Sequence, residues 1–346
     1  MTPRSVPLDE LTVTVVVDNE TDTLSSIDAG IPQTQEAAGL VARASAQALP
    51  DGHSAVTVFD QLCVACHGLS LLLKARAGDR SSTVLFDAGP YGDVWLANAQ
   101  RLNVDLASID TVVLSHWHWD HSGALPVVLN AIGQARAAAG VTQPVVLDIH
   151  PDRPDQRGVM TPAGTLILLP PEPAEDELHA TGASIARHGE GHVLAGGHFF
   201  TSGAIARVTA YETGLTGHHS IRGGEVIADP LLMDERYLAA EIRDRGVAVF
   251  SACSHAGIIN VCRDAAARYA PTPIDLVFGG FHLAGAAMEQ RIPATIQDLA
   301  DHIHPRLVAP AHCTGWRAKA ALAQRFAPGR YAPSAVGSRY SLIGAP

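Results

Sequence analysis

The sequence predicts an α/β fold in which the strands of a layered sheet alternate with helices. Short apolar, β-branched runs at 111–114, 274–280 and 307–310 have the length and composition of buried strands. Segments with the apolar spacing of helices, such as 123–139 and 316–326, follow strands of this kind. Binding sites in layered α/β proteins gather at the edge where the strands end, and here histidines stand at that place.

The other elements are expected from the same periodicities, with turn residues marking their ends. In chain order they are a strand at 11–19, a helix within 35–48, strands at 67–74 and 83–89, a helix at 93–102, strands at 145–151 and 246–252, and helices at 258–269 and 295–303.

The chain of 346 residues is 47% hydrophobic, which is enough for one large domain or two small ones. We predict a single domain over 1–346, with insertions near 20–59 and 152–225. The first insertion is polar and Ala-rich, and we interpret it either as a segment that runs over the protein surface or as a lid over the substrate. The second is rich in Gly, Pro and His, and Phe199–Gly203 and Ala206–Thr209 within it are either strands or a substrate loop.

Charge and hydropathy restrict the partners. The formal net charge is −11, which argues against nucleic acid, because a phosphate backbone needs a basic face. The absence of an apolar run near 18 residues argues against a membrane span. The first ten residues lack a hydrophobic signal core, so a cytoplasmic location is expected. A small-molecule substrate fits these features, and a homo-oligomer is left open.

Residues 115–123, Ser-His-Trp-His-Trp-Asp-His-Ser-Gly, form the most informative stretch of the chain. In an extended segment, residues two apart point the same way, so His116 and His118 face one spot. As the chain turns into a helix, Asp120 and His121 can face a second spot nearby. Imidazole and carboxylate donors at this density suit two metal ions that share a bridging water.

Three later strand ends also carry histidines, namely His255, His282 and His312. We expect the remaining histidines of the central region to lie on the surface or in local hydrogen bonds, because they lack ligand spacing. These are His188, His192, His198, His218 and His219.

Five cysteines are an odd number, and no disulfide framework is expected in a chain without an export signal. Cys63-Val-Ala-Cys66-His67 matches the haem-attachment pattern. Because an apolar strand follows at once, we interpret the match as accidental or as a minor thiol-metal site.

The H-x-H-x-D-H pattern of 116–121 resembles the signature of the metallo-β-lactamase superfamily. Further motifs resemble one branch of it, typified by an archaeal 7,8-dihydropterin-6-methyl-4-(β-D-ribofuranosyl)aminobenzene-5′-phosphate synthase. They are Asn19, His67-Gly-Leu-Ser70, Cys253-Ser-His-Ala-Gly257, Gly279-Gly-Phe-His-Leu283 and His312-Cys-Thr-Gly315. The resemblance covers most of the chain and implies a four-layer αββα sandwich of two mixed sheets flanked by helices.

The resemblance also implies a ligand set. His116 and His118 would bind a first metal, and Asp120, His121 and His312 a second. Zinc is the expected divalent ion, two per chain, with iron or manganese as alternatives.

Alternative roles are open for other residues of this implied site. His255 would be a further ligand, either as the usual third-motif histidine or in the place of the bridging aspartate. His282 is expected as a catalytic residue that contacts the substrate as an acid, with an extra ligand or a supporting role as alternatives. Cys253 and Cys313 are interpreted as packing or supporting residues rather than thiolate ligands.

Asp87 and Ser115 would orient the ligating histidines. Asp120 would both hold a metal and accept a proton. Trp117 and Trp119 either line a substrate pocket or pack the loop.

The expected function is a metal-dependent hydrolase that uses metal-bound hydroxide on an ester, lactone, amide or phosphoester of a small molecule. One alternative is a condensing synthase that acts on a pyrophosphate-bearing pterin. Others are an iron-dependent redox enzyme and a metal-binding protein without catalysis.

Overall fold

The computed structural model describes residues 4–345. Its strands are, in chain order, β1 (Glu10–Val17), β2 (Gln33–Thr34), β3 (Gln47–Ala48), β4 (Ser54–Ala55), β5 (Ser70–Ala77), β6 (Arg80–Phe86), β7 (Thr111–Val113), β8 (Val146–Ile149), β9 (Gln156–Met160), β10 (Leu166–Leu168), β11 (Ser184–Arg187), β12 (His192–Leu194), β13 (Phe199–Thr201), β14 (His218–Arg222), β15 (Glu225–Ala228), β16 (Leu238–Ile242), β17 (Gly246–Ser251), β18 (Ile274–Gly280), β19 (Leu307–Ala311) and β20 (Arg339–Ile343). Its α-helices are α1 (Glu36–Arg43), α2 (Gly92–Arg101), α3 (Trp119–Ser122), α4 (Leu125–Ala138), α5 (Glu175–Ala180), α6 (Ile258–Tyr269), α7 (Ala286–Glu289), α8 (Ile292–Asp298) and α9 (Trp316–Phe326).

Two mixed sheets face each other. The larger has the strand order β11-β8-β7-β6-β5-β1-β20-β2, in which β6, β7, β8 and β11 run parallel. The smaller has the order β12-β13-β16-β17-β18-β19, with β17, β18 and β19 parallel. Both sheets send side chains such as Leu73, Phe86, Phe250 and Phe278 into one apolar core between them.

Helices cover the two outer faces. Trp95 of α2 and Leu129 of α4 pack in an apolar cluster with Leu85 of the larger sheet. On the other side, Ile259 of α6 packs in a cluster with Val249 of the smaller sheet. Both sheets are therefore buried on both faces, which explains the continuous apolar runs of their parallel strands. The predicted four-layer αββα sandwich is confirmed.

Several element boundaries differ from those predicted. The strand expected at 67–74 begins at Ser70, because residues 67–69 lie in a loop held against Asn19. The strand expected at 83–89 ends at Phe86, since Asp87 has a left-handed φ of 61°.

The helix boundaries differ as well. The expected helix at 35–48 is shorter, Glu36–Arg43, while that at 295–303 starts at Ile292 and ends in a π-helical turn, Leu299–Ile303.

The region 152–225 contains an antiparallel sheet of order β10-β9-β14-β15 that the sequence did not predict. Phe199–Thr201 is a strand, whereas 206–209 is irregular. The region 20–59 contributes β2, α1 and the pair β3–β4, and β2 joins the edge of the larger sheet. The extent of the domain, 1–346, stays a prediction.

None of the helices within residues 4–345 combines the length and the apolar character needed to cross a bilayer.

Candidate metal centre

The predicted ligand residues converge where strand ends of both sheets meet. The segment 116–121 follows β7 of the larger sheet, while His255, His282 and His312 follow the parallel strands β17, β18 and β19 of the smaller sheet. The ring centroids of His116 and His255 are 4.9 Å apart. Residues 139 positions apart in the chain thus face one another across the sandwich.

Three buried imidazoles form a first group. Nε2 of His116 lies 3.0 Å from Nδ1 of His118 and 3.2 Å from Nε2 of His255. Ligand nitrogens around one tetrahedral zinc ion are separated by about 3.3 Å, given Zn–N bonds of roughly 2.1 Å. The spacing of this group therefore suits a single ion.

The hydrogen-bond partners of His116 determine which of its ring nitrogens carries the proton. Oγ of Ser115 donates to Oδ2 of Asp87 at 2.7 Å, so it can only accept from Nδ1 of His116, 2.8 Å away. Nδ1 of His116 therefore carries the hydrogen. Its Nε2 is left with a free lone pair that points at the other two rings.

A histidine of β14, His218, determines which ring nitrogen of His118 carries the proton. Nδ1 of His218 donates to the carbonyl oxygen of Asp229 at 2.8 Å, which leaves Nε2 of His218 as an acceptor. That nitrogen accepts from Nε2 of His118 at 2.9 Å. Nδ1 of His118 is therefore unprotonated and faces the lone pair of His116 at 3.0 Å. Two lone pairs at this distance repel each other unless a cation lies between them.

A second group consists of Asp120, His121 and His312. Oδ2 of Asp120 lies 3.5 Å from Nε2 of His121 and 3.1 Å from Nε2 of His312. Nδ1 of His121 donates to Oδ2 of Asp87 at 2.7 Å, so its Nε2 is unprotonated in the neutral ring.

Asn19 orients His312 in the same way. Oδ1 of Asn19 accepts the backbone N–H of Gly68, which identifies this atom as the amide oxygen, and it also accepts Nδ1–H of His312 at 2.9 Å. The unprotonated Nε2 of His312 then faces the carboxylate of Asp120, and it has no hydrogen-bond partner. This arrangement also needs a cation.

Cys253 lies between the two groups. Its Sγ is 3.2 Å from Nε2 of His121, and it clusters within 4.8 Å both with His116 and His255 and with the Asp120 group. Its interpretation as a packing residue is a prediction that the geometry does not favour, because a sulfur in this place is within reach of ions in both groups.

Asp87 and Ser115 lie where the sequence places them, directly behind the ligands. The Asp87 carboxylate accepts the backbone N–H of Ser115, its hydroxyl and the ring N–H of His121, each at 2.7 Å. Asp87 is fully buried in the left-handed backbone region, with φ 61°. His282 and His312 also have positive φ, 45° each. Strain of this kind, about 1 kcal/mol per residue, is typical of functional sites.

Sequence reasoning missed two acidic residues, in the turn before β16, that hold the ligand loops. Asp234 accepts the backbone N–H of Trp117 at 2.7 Å and pairs with Arg157 at 2.6 Å. Glu235 accepts the backbone N–H of both His255 and Ala256, each at 2.7 Å. The only sequence signal was an unbroken charged triplet, 234–236, directly before an apolar strand.

The two groups of ligand residues differ in their electrostatic surroundings. Burial, reinforced by neighbouring imidazoles, lowers the pKa values of His116 and His255 well below the usual value. Burial also opposes the charging of His121, but the carboxylates of Asp120 and Asp87 outweigh it and raise its pKa to about 9. Despite burial, the surrounding histidines hold the pKa of Asp120 well below its usual range. The second group thus favours positive charge beside a permanent carboxylate.

His282 and Cys313 form a pair beside Cys253. Burial opposes the charging of His282, but the adjacent Cys313 sulfur raises the pKa of the imidazole. Nδ1 of His282 is buried without a partner, and His282 contacts the ring of His255 at 4.5 Å between centroids. His282 therefore lies at the edge of the first group.

His67 completes the centre, although the sequence singled it out only within a branch motif. Nδ2 of Asn19 donates to Nδ1 of His67 at 3.0 Å, so Nε2 of His67 carries the hydrogen and lies 3.4 Å from Oδ2 of Asp120. The His67 side chain is 67% exposed, whereas that of His312 is buried. His67 therefore marks the side on which the centre opens to solvent.

The expectation that His218 lies on the surface or in a merely local bond is wrong. Strand β14 buries it behind His118, and the unpredicted sheet of the insertion explains why sequence spacing could not reveal this. The same expectation is wrong for His198, which is buried and whose ring bonds the hydroxyl of Ser82, 116 positions away in the chain.

The two tryptophans of the loop differ. Trp117 is fully buried and its indole donates to the carbonyl oxygen of His150, so it packs the loop. Trp119 stacks edge-on against Tyr91 and is partly exposed. Cys63, of the haem-like motif, is buried with its backbone N–H bonded to Glu36, away from the His67 ring.

An open groove of about 620 Å³ leads away from His282. Tyr211, Leu215, Met288 and Arg291 line it, and a smaller adjoining cavity continues to Ser254 and His255. The groove therefore ends beside His282, whose ring contacts that of His255.

A family model described as the metallo-β-lactamase superfamily matches residues 64–282. A Methanocaldococcus jannaschii protein, 7,8-dihydropterin-6-methyl-4-(beta-D-ribofuranosyl)-aminobenzene-5'-phosphate synthase, is 27% identical over 263 residues, 75% of this chain and 85% of that protein. An uncharacterized protein of the same archaeon is 26% identical over 268 residues, 75% of this chain and 88% of its own.

Among solved structures, that of a metal-dependent hydrolase of the β-lactamase superfamily superposes with a TM-score of 0.67 at 21% identity. It covers 96% of this chain and 99% of that one, which shows a shared fold. The family fold implies binding of divalent metal, and the facing lone pairs of the converged histidines fit such ions. Because the family model spans more than half of its length, this chain belongs to the metallo-β-lactamase superfamily.

Proposed function

We propose that the protein is a metal-dependent hydrolase that cleaves an ester, lactone, amide or phosphoester of a small molecule. The observation that carries the proposal is the pair of facing lone pairs on His116 and His118, 3.0 Å apart, beside a carboxylate that opens to solvent. The net charge of −11 supports a small molecule rather than nucleic acid as the partner.

Two zinc ions are the expected cofactors. His116, His118 and His255 would hold one, and Asp120 with His121 and His312 the other, with Cys253 in reach of both. Bound divalent ions supply a water that ionises near neutral pH and an electrophile for the substrate oxygen.

Asp120 is the proposed proton acceptor of the chain. Its lowered pKa keeps it ionised at neutral pH, and its Oδ2 atom is shared among His121, His312 and His67. The ring of His67, largely exposed, donates toward this oxygen and stabilises the ionised carboxylate on the side that opens to solvent.

The groove beside His282 is the proposed substrate site. Its wall carries one cationic side chain, Arg291, whose Nη2 donates to the carbonyl oxygen of Gly214 at 3.0 Å. The remaining guanidinium donors can bind an anionic group of the substrate. His282, which stands between groove and first histidine group, is the proposed acid that contacts the substrate.

A condensing synthase is the second candidate. It is favoured by the archaeal synthase that matches 75% of this chain, although an identity of 27% leaves room for a different reaction. In that case the groove would take a pyrophosphate-bearing pterin, and the ions would bind its leaving group.

One experiment separates the two. Zinc-loaded protein is assayed with p-nitrophenyl acetate, an acyl lactone and bis(p-nitrophenyl) phosphate, and in parallel with a dihydropterin pyrophosphate plus 4-(β-D-ribofuranosyl)aminobenzene 5′-phosphate. Hydrolysis that is lost in Asp120→Asn, but kept in the surface control Asp152→Asn, supports the hydrolase. Pyrophosphate release that depends on both condensation substrates, without hydrolysis, overturns it in favour of the synthase. Activity in neither assay contradicts both.

A further inference from the structure

A second cluster of ligand-type side chains lies apart from the centre. Asp148 is on β8, His188 directly follows β11, and His192 begins β12. Oδ2 of Asp148 lies 2.9 Å from Nδ1 of His188 and 2.8 Å from Nε2 of His192. The two imidazole rings are 3.9 Å apart, and the cluster shares no residue with the centre.

The partners of His192 leave one proton unaccounted for. Its Nδ1 lies 3.2 Å from the backbone carbonyl oxygen of Glu190, which can only accept a hydrogen. In the neutral ring, Nε2 is then a bare lone pair facing a carboxylate oxygen at 2.8 Å. Both contacts of His192 are satisfied at once only by a positive charge at Nε2, either a second proton on His192 or a metal ion. A backbone carbonyl on the far nitrogen is the usual support of a metal-ligating histidine.

The carboxylate is held in place from behind. Nη1 of Arg236, fully buried, donates to Oδ1 of Asp148 at 2.6 Å, so that Oδ2 is turned toward both imidazoles. Asp148 is itself 2% exposed, whereas the side chain of His188 is 43% exposed. The cluster thus combines a fixed carboxylate with an open side through which an ion and a water ligand can enter.

We propose that Asp148, His188 and His192 form an additional binding site for a divalent transition metal, with water as the fourth ligand. Two imidazoles and one carboxylate oxygen are ligands that zinc accepts in tetrahedral sites. Ligand atoms of such an ion stand about 3.3 Å apart, so each imidazole nitrogen needs to move away from the Asp148 oxygen by only about 0.4 to 0.5 Å. Because His188 and His192 lie at the partly exposed edge, this adjustment is small.

An ion in this place would join the two sheets. β11 is the edge strand of the larger sheet and β12 that of the smaller one, so the chain crosses from one sheet to the other between Arg187 and His192. Arg236 also donates to the carbonyl oxygen of Leu114, and its own N–H bonds to that of Ser115. The site therefore lies behind the loop of the main centre, and its ion would be structural.

The test is the number of zinc ions per chain. Wild type, His192→Ala, His188→Ala and the control His179→Ala, an exposed histidine of α5, are saturated with zinc, separated from free metal by gel filtration, and measured by mass spectrometry. We expect both cluster variants to hold one ion fewer than wild type and control. Added zinc should also raise the melting temperature of the variants less than that of wild type.

Equal ion numbers in wild type and in the folded cluster variants would overturn the proposal. So would a nitrogen NMR spectrum of zinc-saturated wild type in which His192 is doubly protonated, which would identify the positive charge as a proton. If circular dichroism shows that His192→Ala does not fold, the number of zinc ions bound by His188→Ala, at a half-exposed position, decides the test. Neither readout depends on catalysis, so the result is independent of the proposed hydrolase activity.

Discussion

Nε2 of His118 donates to Nε2 of His218 at 2.9 Å, and this bond turns the other ring nitrogen of His118 toward the metal centre. His218 comes from an insertion that has its own sheet, so the insertion contributes to the centre. Partners of this kind orient the ligand ring and raise its basicity.

Replacing His218 by Ala should therefore weaken zinc binding about 10- to 100-fold, the range typical for partners of ligating histidines. Competition with a chromophoric chelator measures the affinity. The adjacent His219, whose ring bonds only the carbonyl oxygen of Gly217, provides the matched control His219→Ala. Equal affinities of the two variants would show that the bond to His118 does not orient a ligand.

Asp87→Asn tests the carboxylate that supports the loop. Asp87 accepts three hydrogen bonds, from Ser115 and His121. In the variant the amide NH₂ would face at least one of these donor groups and could not accept its hydrogen. The free energy of unfolding should fall by about 1–3 kcal/mol, because a buried polar group loses its partner. Urea titration in the presence of a chelator measures this loss apart from metal binding. Asp79→Asn, in an exposed turn, should leave stability unchanged, and a similar loss there would contradict the prediction.

His67→Ala tests the hydrogen bond that stabilises the ionised Asp120. The ring donates toward Asp120 but is not placed among the facing lone pairs, so we expect about a 10-fold lower kcat with an unchanged number of bound ions. Steady-state kinetics and metal analysis of the same preparation give both quantities. His53→Ala, at a histidine whose side chain is 79% exposed, is the control. Loss of an ion together with activity would instead make His67 a ligand.

The pH dependence of stability should report Glu172. Burial raises the pKa of this carboxyl to about 7, and the hydroxyl of Ser122 donates to it. Between pH 4.5, the usual pKa of a glutamic acid, and about pH 7, the folded protein therefore keeps a proton on Glu172 that the unfolded chain has released. Stability must fall as the pH rises through this window, by about 3 kcal/mol in total.

Glu172→Gln keeps the shape and removes the titration, so the variant should lose this part of the decline. Urea unfolding from pH 4.5 to 8 checks the slope. Glu225→Gln, at an exposed strand position, should retain the wild-type slope. A wild-type curve that is flat over this range, or a Glu172→Gln curve parallel to it, would contradict the assignment.

The sequence predicted what is local and periodic. The helix 258–269 and the strand 274–280 match the structure to the residue, because an amphipathic helix and a fully buried strand each have a clear beginning and end in the sequence. The convergence of His116, His255 and His312 was also expected, since each follows a strand end.

What the sequence could not predict depends on pairing between distant segments. His218 reaches His118 only because β14 pairs with β9, and neither strand has the strong alternation that marks one. Likewise, the proximity of Cys253 to both histidine groups arises only where the two sheets meet. A single sequence carries no signal for such contacts.

We expect bound cations where the strand ends of both sheets meet. Anomalous diffraction at the zinc edge from zinc-loaded crystals locates such ions. One peak should lie among His116, His118 and His255 and another among Asp120, His121 and His312. A fully loaded crystal with no anomalous peak at either group would contradict this expectation.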